Sequence, residues 1–269
     1  MRGYKQLKDL RNRIAVVTGA SSGLGEQIAY ELARQGAIVV VCARRLKKLE
    51  EVSEKCQQLS GRISIPKELD VAQPKKIERL VAQVESELGP IDILVNNAGF
   101  GLMEDALSFE MEIAEKMFRV NVLGTMYLSK YVALKMARRQ RGAIINVASV
   151  AGKIATPKSA VYSATKAAVL GYSNALRLEL KALGISVLTV NPGPIKTNFF
   201  NLADKSGEYL KKVGFLVLEP DELAQKIVST VGTNRRELTL PFIFEVAHHF
   251  YELFPHVGDY LAGDLFNKK

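Results

Sequence analysis

Tyr162 and Lys166 stand four positions apart in Tyr162-Ser163-Ala164-Thr165-Lys166. On a helix that spacing puts a phenol and an ammonium on one face, one turn apart. A phenol titrates near pH ~10 and exchanges protons poorly at neutrality. A fixed positive charge beside it favours phenolate and brings its proton into working range.

A second pattern lies upstream. Ile14-Ala15-Val16-Val17 reads as a buried strand, and it runs into Thr18-Gly19-Ala20-Ser21-Ser22-Gly23-Leu24-Gly25. A helix-periodic segment follows through Ile28, Ala29 and Leu32, with Gly36 placed as its stop. Strand, glycine turn and helix together make a site for a pyrophosphate. The glycines admit close backbone approach, and the helix start offers free N–H groups and the positive dipole end.

These residues need a scaffold, and the chain alternates strand and helix. Strands are expected near 13–18, 38–43, 63–69, 91–96, 143–149, 185–191 and 237–240. Helices are expected near 23–35, 45–60, 74–88, 108–138, 160–183 and 221–232. Such alternation implies an α/β fold, a doubly wound parallel sheet of about seven strands with helices on both faces. Ligands then bind beyond the carboxyl ends of the strands, where Thr18, Asn96, Ser149 and Asn191 fall. Singly, Thr18 is expected to brace its turn, Asn96 to close sheet-end hydrogen bonds, and Ser149 and Asn121 to be ordinary polar residues. Chemical roles come from the joint pattern.

Gly-x-x-x-Gly-x-Gly at Gly19, Gly23 and Gly25, joined to Tyr-x-x-x-Lys, resembles the short-chain dehydrogenases/reductases. The resemblance runs from about Arg13 to about Thr197. Asn96-Asn97-Ala98-Gly99 follows the strand at Ile91 to Val95, as in that family. Asn121 falls at the family's helix asparagine, and Ser149, thirteen positions before Tyr162, at its catalytic serine. Asn191-Pro192-Gly193-Pro194-Ile195-Lys196-Thr197 matches the family's Pro-Gly-x-x-x-Thr segment. On overall impression the chain is similar to uncharacterised bacterial NADP-dependent oxidoreductases.

The resemblance implies that a nicotinamide cofactor carries the hydride and that Tyr162 moves the proton. Lys166 lowers the pKa of Tyr162 and bonds the nicotinamide ribose. Ser149 bonds the substrate oxygen, and Asn121 holds a water that relays protons to Lys166. Cofactor contacts are expected from Gly19, Ser21, Ser22, Gly23, Leu24 and Gly25, from Asn97, Ala98 and Gly99, and from Pro192, Gly193, Ile195 and Thr197. Asp70 and Val71, at the third strand's end, resemble the residues near the adenine.

NADP(H) is the expected cofactor. Ala43 stands where NAD-preferring relatives carry an acid for the ribose 2′-hydroxyl, and Arg44 and Arg45 follow it. An arginine holds a 2′-phosphate that a carboxylate would repel. Ser22 occupies a place where some NADP-using relatives carry a basic residue.

The chain has 269 residues, 48% of them hydrophobic, which suits one dinucleotide-binding and catalytic domain over 1–269. Cys42 and Cys56 show neither a disulfide framework nor metal-ligand spacing, so no metal is expected and a reducing, cytoplasmic setting is. Cys42 lies in an apolar run and is expected to be a buried thiol. The basic segment Met1 to Arg13 lacks the apolar run of a signal peptide, and no run reaches the ~18 residues needed to span a bilayer. The net charge of +9 lacks a nucleic-acid recognition motif, so an anionic cofactor rather than nucleic acid is its expected partner.

Two regions fall outside the regular pattern. The first, 198–219, reads as a substrate loop, with Phe199, Phe200, Leu202, Phe215 and Leu216 as apolar contacts and Ser206 and Gly207 giving backbone freedom. The second is the aromatic segment 242–266, where Phe242, Val246, Phe250 and Phe254 recur at helical spacing, as in a packing or subunit-contact helix.

The expected substrate is a carbonyl or alcohol on a lipid, steroid, aromatic or small aliphatic skeleton, in an apolar pocket near Phe100, Met103, Ala155, Pro157, Phe199, Phe200 and Phe215. The expected assembly, by family resemblance, is a homodimer or homotetramer through the apolar helices 108–138 and 160–183. Two other readings are an NADP-binding sensor without turnover and a membrane-surface protein using the basic N-terminus and aromatic tail.

Overall fold

The computed structural model describes residues 3–199 and 214–266, without the side chains of 215 and 264–266. The expectations placed on Phe200, Leu202, Ser206, Gly207 and the Phe215 side chain lie outside the described residues.

The described elements follow the expected alternation. They are β1 (Ile14–Thr18), α1 (Gly23–Arg34), β2 (Ile38–Ala43), α2 (Leu46–Ser60), β3 (Ser64–Glu68), α3 (Pro74–Glu87) and β4 (Ile91–Asn96). Then come α4 (Met111–Met117), α5 (Gly124–Arg139), β5 (Gly142–Val147), α6 (Ala160–Lys181), β6 (Ile185–Pro192), α7 (Pro220–Val228) and β7 (Glu237–Leu240). Two further helices close the chain, α8 (Ile243–Leu253) and α9 (Pro255–Phe266).

The strands form one seven-stranded parallel sheet in the order β3-β2-β1-β4-β5-β6-β7. The order reverses between β1 and β4, which opens a crevice above their carboxyl ends. Pro66 sits on edge strand β3, where its missing N–H interrupts no central ladder.

Strand pleating sends alternate residues to opposite faces. Ala15, Val17, Val39, Val41, Ile93 and Val95 pack with Ile28 and Leu32 of α1 and Leu223 and Ile227 of α7. Val16, Val40, Leu94 and Ile144 pack on the other face with Ile77, Leu128, Val132, Met136 and Leu176. Cys42 is in this second layer, and burial pushes the Cys42 and Cys56 thiols up to about 12.

One reading needs correction. Residues 108–138 are not one helix, because a π-helical segment, Phe118–Leu123, separates α4 from α5. Its wider turn carries Asn121 at 2% exposure, and such segments are frequent at functional sites. The N-terminal segment is a structural part of the molecule. Gly3–Lys8 forms a 3-10 helix, Tyr4, Leu7 and Leu10 are buried, and the Tyr4 N–H donates to the Gly184 carbonyl at 2.9 Å.

The aromatic segment is a helix pair, but α8 buries none of its residues. Phe242, Val246, Phe250 and Phe254 remain 70%, 51%, 42% and 53% exposed, so the repeat does not pack inward within this chain. No helix among the described residues is long and apolar enough to cross a membrane.

Candidate active site

A cleft of about 950 Å³ runs along the carboxyl ends of the strands, from Arg44 and Arg45 at one end to Phe250 and Leu261 of α8 and α9 at the other.

At the first end the glycine turn is braced from beneath. The Thr18 hydroxyl donates to the Val95 carbonyl (3.2 Å) and accepts the N–H groups of Asn97 and Ala98 (3.1 Å each). The Asn97 amide donates back to the Thr18 carbonyl at 3.1 Å. Gly19 and Gly23 hold φ of +66° and +63°, a region that L side chains rarely enter. A Cβ on Gly19 would also stand 2.9 Å from the Ala98 Cα, and one on Gly23 would stand 3.2 Å from Thr197 Cγ2.

The loop is therefore a bare backbone cradle at the start of α1. Ser22, at the N-cap, makes no side-chain cap hydrogen bond, which suits donation of α1's first N–H groups to a phosphate. The Arg45 guanidinium lies across the loop and donates to Ser21 Oγ at 2.9 Å and Ser22 Oγ at 2.7 Å. Arg44 is exposed beside it, and both line the cleft. The carboxylate of Asp70 accepts the Ala72 N–H at 3.0 Å, which shapes the turn that presents Asp70 and Val71 to the same wall. These residues fit a dinucleotide.

The middle of the cleft is lined by Ser149, Tyr162 and Lys166. Ser149 follows β5 and caps the short 3-10 turn Val150–Gly152. Its hydroxyl accepts the Ala151 N–H at 3.1 Å and donates to the Pro192 carbonyl at 3.4 Å, a long bond that a better acceptor can displace. A Cβ on Gly152 would stand 2.8 Å from the Lys166 carbonyl carbon, so this glycine lets the Ser149 turn lie directly against α6.

On α6, Tyr162 is 7% exposed and Lys166 6%. Lys166 Nζ donates to the Val147 carbonyl at 3.0 Å and lies 5.7 Å from the centre of the Tyr162 ring. Burial pulls its ammonium down to about 8.

Asn121 reaches the same place from the π segment. Its Oδ1 accepts the Phe100 N–H (3.0 Å), and its Nδ2 donates to the Phe100 carbonyl (2.9 Å) and Thr165 Oγ1 (3.1 Å). One N–H thus holds the loop after Gly99 and the other meets α6 at Thr165, while Oδ1 keeps a second lone pair.

Further in, Asn96 and Asn146 pair across β4 and β5, with Asn96 Nδ2 donating to Asn146 Oδ1 (2.8 Å) and Ser129 Oγ (3.0 Å). They brace the strand ends and do not line the cleft.

The far end of the cleft is apolar. Phe100 and Met103 come from the loop after β4, Pro157 from the segment before α6, and Ile243, Val246 and Phe250 from α8. Phe199 packs on the Tyr162 ring with centroids 5.7 Å apart. Gly101 makes room for that contact, since a Cβ there would stand 2.8 Å from the Tyr162 ring.

Among the expected catalytic and cofactor residues, all but Gly25 and Asn121 line the cleft, and Asn121 reaches it from behind; Ala155, expected in the substrate pocket, does not line it. Gly25 lets the Asn97 amide pass beneath the turn. Sequence reasoning missed the α8–α9 wall, Gly101, and the bridge from Arg45 to Ser21 and Ser22. It also missed His248, His249 and Glu252 on α8, whose ligand-type atoms lie within 4.8 Å of one another and which face one another as His–Glu pairs at 3.5 Å.

Comparison with known proteins places the arrangement. A family model described as short chain dehydrogenase matches residues 13–206. An uncharacterized oxidoreductase of Staphylococcus saprophyticus is 39% identical over 189 residues, 70% of this chain and 81% of that protein. Human dehydrogenase/reductase SDR family member 7 is 36% identical over 210 residues, 77% of this chain, which spans 62% of the human protein's length.

Among solved structures, a Thermococcus sibiricus alcohol dehydrogenase complexed with 5-hydroxy-NADP aligns with a TM-score of 0.76 at 27% identity, covering 86% of this chain and 96% of that one. A serine dehydrogenase complexed with NADP+ aligns with a TM-score of 0.75 at 33% identity, covering 84% and 94%. The span of the family match and the identity to the Staphylococcus protein show that this chain belongs to the short-chain dehydrogenase family of oxidoreductases.

Proposed function

We propose that this protein is an NADP-dependent oxidoreductase that interconverts a carbonyl and an alcohol on an apolar skeleton. The observation that carries the reading is convergence: Ser149, Tyr162 and Lys166, from two separate elements, meet in the cleft that begins at the glycine turn. The complexes of two similar proteins with NADP-type ligands support the choice of cofactor.

The turn from Gly19 to Gly25 and the first N–H groups of α1 hold the diphosphate. Arg44 and Arg45 hold the 2′-phosphate, with no acid at Ala43 to oppose it. Asp70 and Val71 flank the adenine, Asn97 to Gly99 flank the central riboses, and Pro192, Gly193, Ile195 and Thr197 hold the carboxamide end. When bound, the reduced nicotinamide supplies a hydride to the carbonyl carbon.

Ser149 gives up its long bond to the Pro192 carbonyl and donates to the substrate oxygen, fixing the oxygen's place. Tyr162 gives that oxygen a proton in reduction and takes one in oxidation. The Lys166 ammonium stabilises the phenolate left behind and bonds the nicotinamide ribose. Asn121 keeps the Phe100 loop in place, and its remaining Oδ1 lone pair holds the water that refills the proton. Phe199 shields the Tyr162 ring, and the apolar walls favour an uncharged substrate.

Titration with NADPH and NADH by fluorescence, followed by a panel of carbonyls and alcohols read by absorbance of the reduced cofactor, tests the reading. Tighter NADPH binding with substrate-dependent turnover is expected. Binding without turnover on any member would instead favour a sensor.

A further inference from the structure

Lys153 takes no part in the reading above, yet its side chain is only 7% exposed. It directly follows the 3-10 turn that starts at Ser149. Its Nζ lies 2.7 Å from Glu237 Oε2, donates to Glu245 Oε2 at 3.0 Å, and reaches Thr239 Oγ1 at 3.4 Å. Glu237 and Thr239 lie on β7, and Glu245 is in the first turn of α8.

The cluster extends toward the nicotinamide segment. Asn191 Nδ2 donates to Glu237 Oε2 at 3.1 Å and Thr239 Oγ1 at 3.3 Å, and the next residue, Pro192, accepts from the Ser149 hydroxyl. Arg236 donates to the other oxygen of Glu237 at 3.3 Å, and His249 faces the other oxygen of Glu245 at 3.6 Å. One cation thus ties the serine turn, the sheet edge and α8 together.

α8 needs such a tie. None of its residues is fully buried, and only Phe244, Glu245, Ala247, His248 and Tyr251 are half-buried, so its apolar seat is shallow. Phe244 lies over Gly193, where a Cβ would not fit, and the adjacent Glu245 reaches Lys153. These two neighbouring contacts set where Ile243, Val246 and Phe250 stand as the far wall of the cleft.

We infer that Lys153, acting through Glu245, is a positioning residue that latches α8 over the substrate end of the cleft, and that the latched helix sets the length of apolar substrate the enzyme accepts. The latch itself rests on geometry; the length selection rests on the carbonyl–alcohol reading proposed above. Long uncharged chains that extend from Tyr162 to α8 should profit from the latch, and short ketones that end before α8 should not.

The test uses the full chain with NADPH bound and three variants. Glu245→Ala leaves Lys153 paired with Glu237 and so spares the sheet edge, Lys153→Met removes the whole tie, and Lys153→Arg keeps the charge. In hydrogen exchange, amides of α8 should exchange at least about ten-fold faster in Glu245→Ala, with β6 and α1 unchanged. In kinetics, the KM for a long-chain ketone should rise about ten-fold, while kcat and the KM for a short ketone stay within about two-fold.

Lys153→Arg should restore the wild-type pattern. Unchanged exchange in α8 would overturn the latch. Equal losses on both ketones, or faster exchange throughout the sheet, would overturn it as well by showing general loosening. If Lys153→Met does not fold, Glu245→Ala decides. If the wild-type enzyme binds NADPH but reduces neither ketone, the carbonyl reading fails and so does length selection, while the exchange experiment still decides the latch.

Discussion

At the glycine-turn end of the cleft, every wall rests on the sheet. Thr18 and Asn97 cross-brace β1 and β4, and each cradle residue follows a strand end or begins a helix. At the α8 end the wall is a helix with no fully buried residue, tied by a cluster of charges at Lys153, by Phe244 over Gly193 and by Tyr251 to Asp259 of α9. The difference teaches where precision is built in. The end proposed to hold the cofactor and move the proton is fixed by backbone geometry, which leaves few ways to change it. The end proposed to select the substrate hangs from side chains, which can be exchanged one at a time.

The largest expected break is at the fixed end. Tyr162→Phe should lower turnover by about 10²–10⁴-fold, the usual worth of a positioned proton donor, and leave the NADPH dissociation constant within about two-fold. Steady-state kinetics and fluorescence titration read the two halves separately. A variant that keeps most of its rate would remove Tyr162 from the chemistry.

Next in size is cofactor discrimination. Arg45→Ala and Arg44→Ala should each cut the preference for NADPH over NADH by about ten-fold or more, the worth of a charge-assisted hydrogen bond. Arg45→Ala should also loosen the glycine turn, because it loses the bonds to Ser21 and Ser22. Equal affinities in the unaltered protein would refute the assignment of both.

Much of this end is legible in the sequence, because each function there demands a residue type at a fixed offset from a strand end. Glycine must occupy positions 19 and 23, since the backbone there takes positive φ. The split of 108–138 is not legible, because a π segment keeps helical composition and only shifts the register by a residue. The α8–α9 wall escapes for another reason. Its apolar repeat signals that a face exists without saying what it faces, and here the face lines a cleft and solvent rather than a core. The latch is a long-range pairing among Lys153, Glu237 and Glu245, and no local pattern marks it.

A smaller effect comes from pH at the fixed end. Burial pulls the Lys166 ammonium down to about 8, so the free protein loses this positive charge as pH rises through that value. NADPH affinity should then fall by up to about ten-fold between pH 7 and pH 9, the worth of one charged hydrogen bond, and Lys166→Gln should flatten the profile. A profile that is flat in the unaltered protein would show that Lys166 does not touch the cofactor.

The smallest effect is expected at the hanging end. Burial alone pushes the Glu237 and Glu245 carboxyls up, but Lys153 with Arg236 at Glu237, and Thr239 with Lys153 at Glu245, outweigh it and hold both below the ordinary carboxylate value. A depressed folded pKa gives stability that is present above the unfolded value and lost as pH falls through the folded one. Docking of α8 should therefore loosen on acidification below about pH 4, ahead of α1 and the glycine turn. Hydrogen exchange across that range would show it, and simultaneous loosening of both ends would erase the contrast between them.

The central claim is that Tyr162 supplies the proton while the bound nicotinamide supplies the hydride. The most direct measurement uses NADPH deuterated on the transferring face of its ring, an apolar ketone that the protein consumes, and mass spectrometry of the alcohol. One deuterium should appear on the carbon that bears the new hydroxyl, and Tyr162→Phe should bind the same cofactor yet yield almost no labelled alcohol. Alcohol without deuterium, or labelled alcohol formed as fast by the variant, would contradict the account.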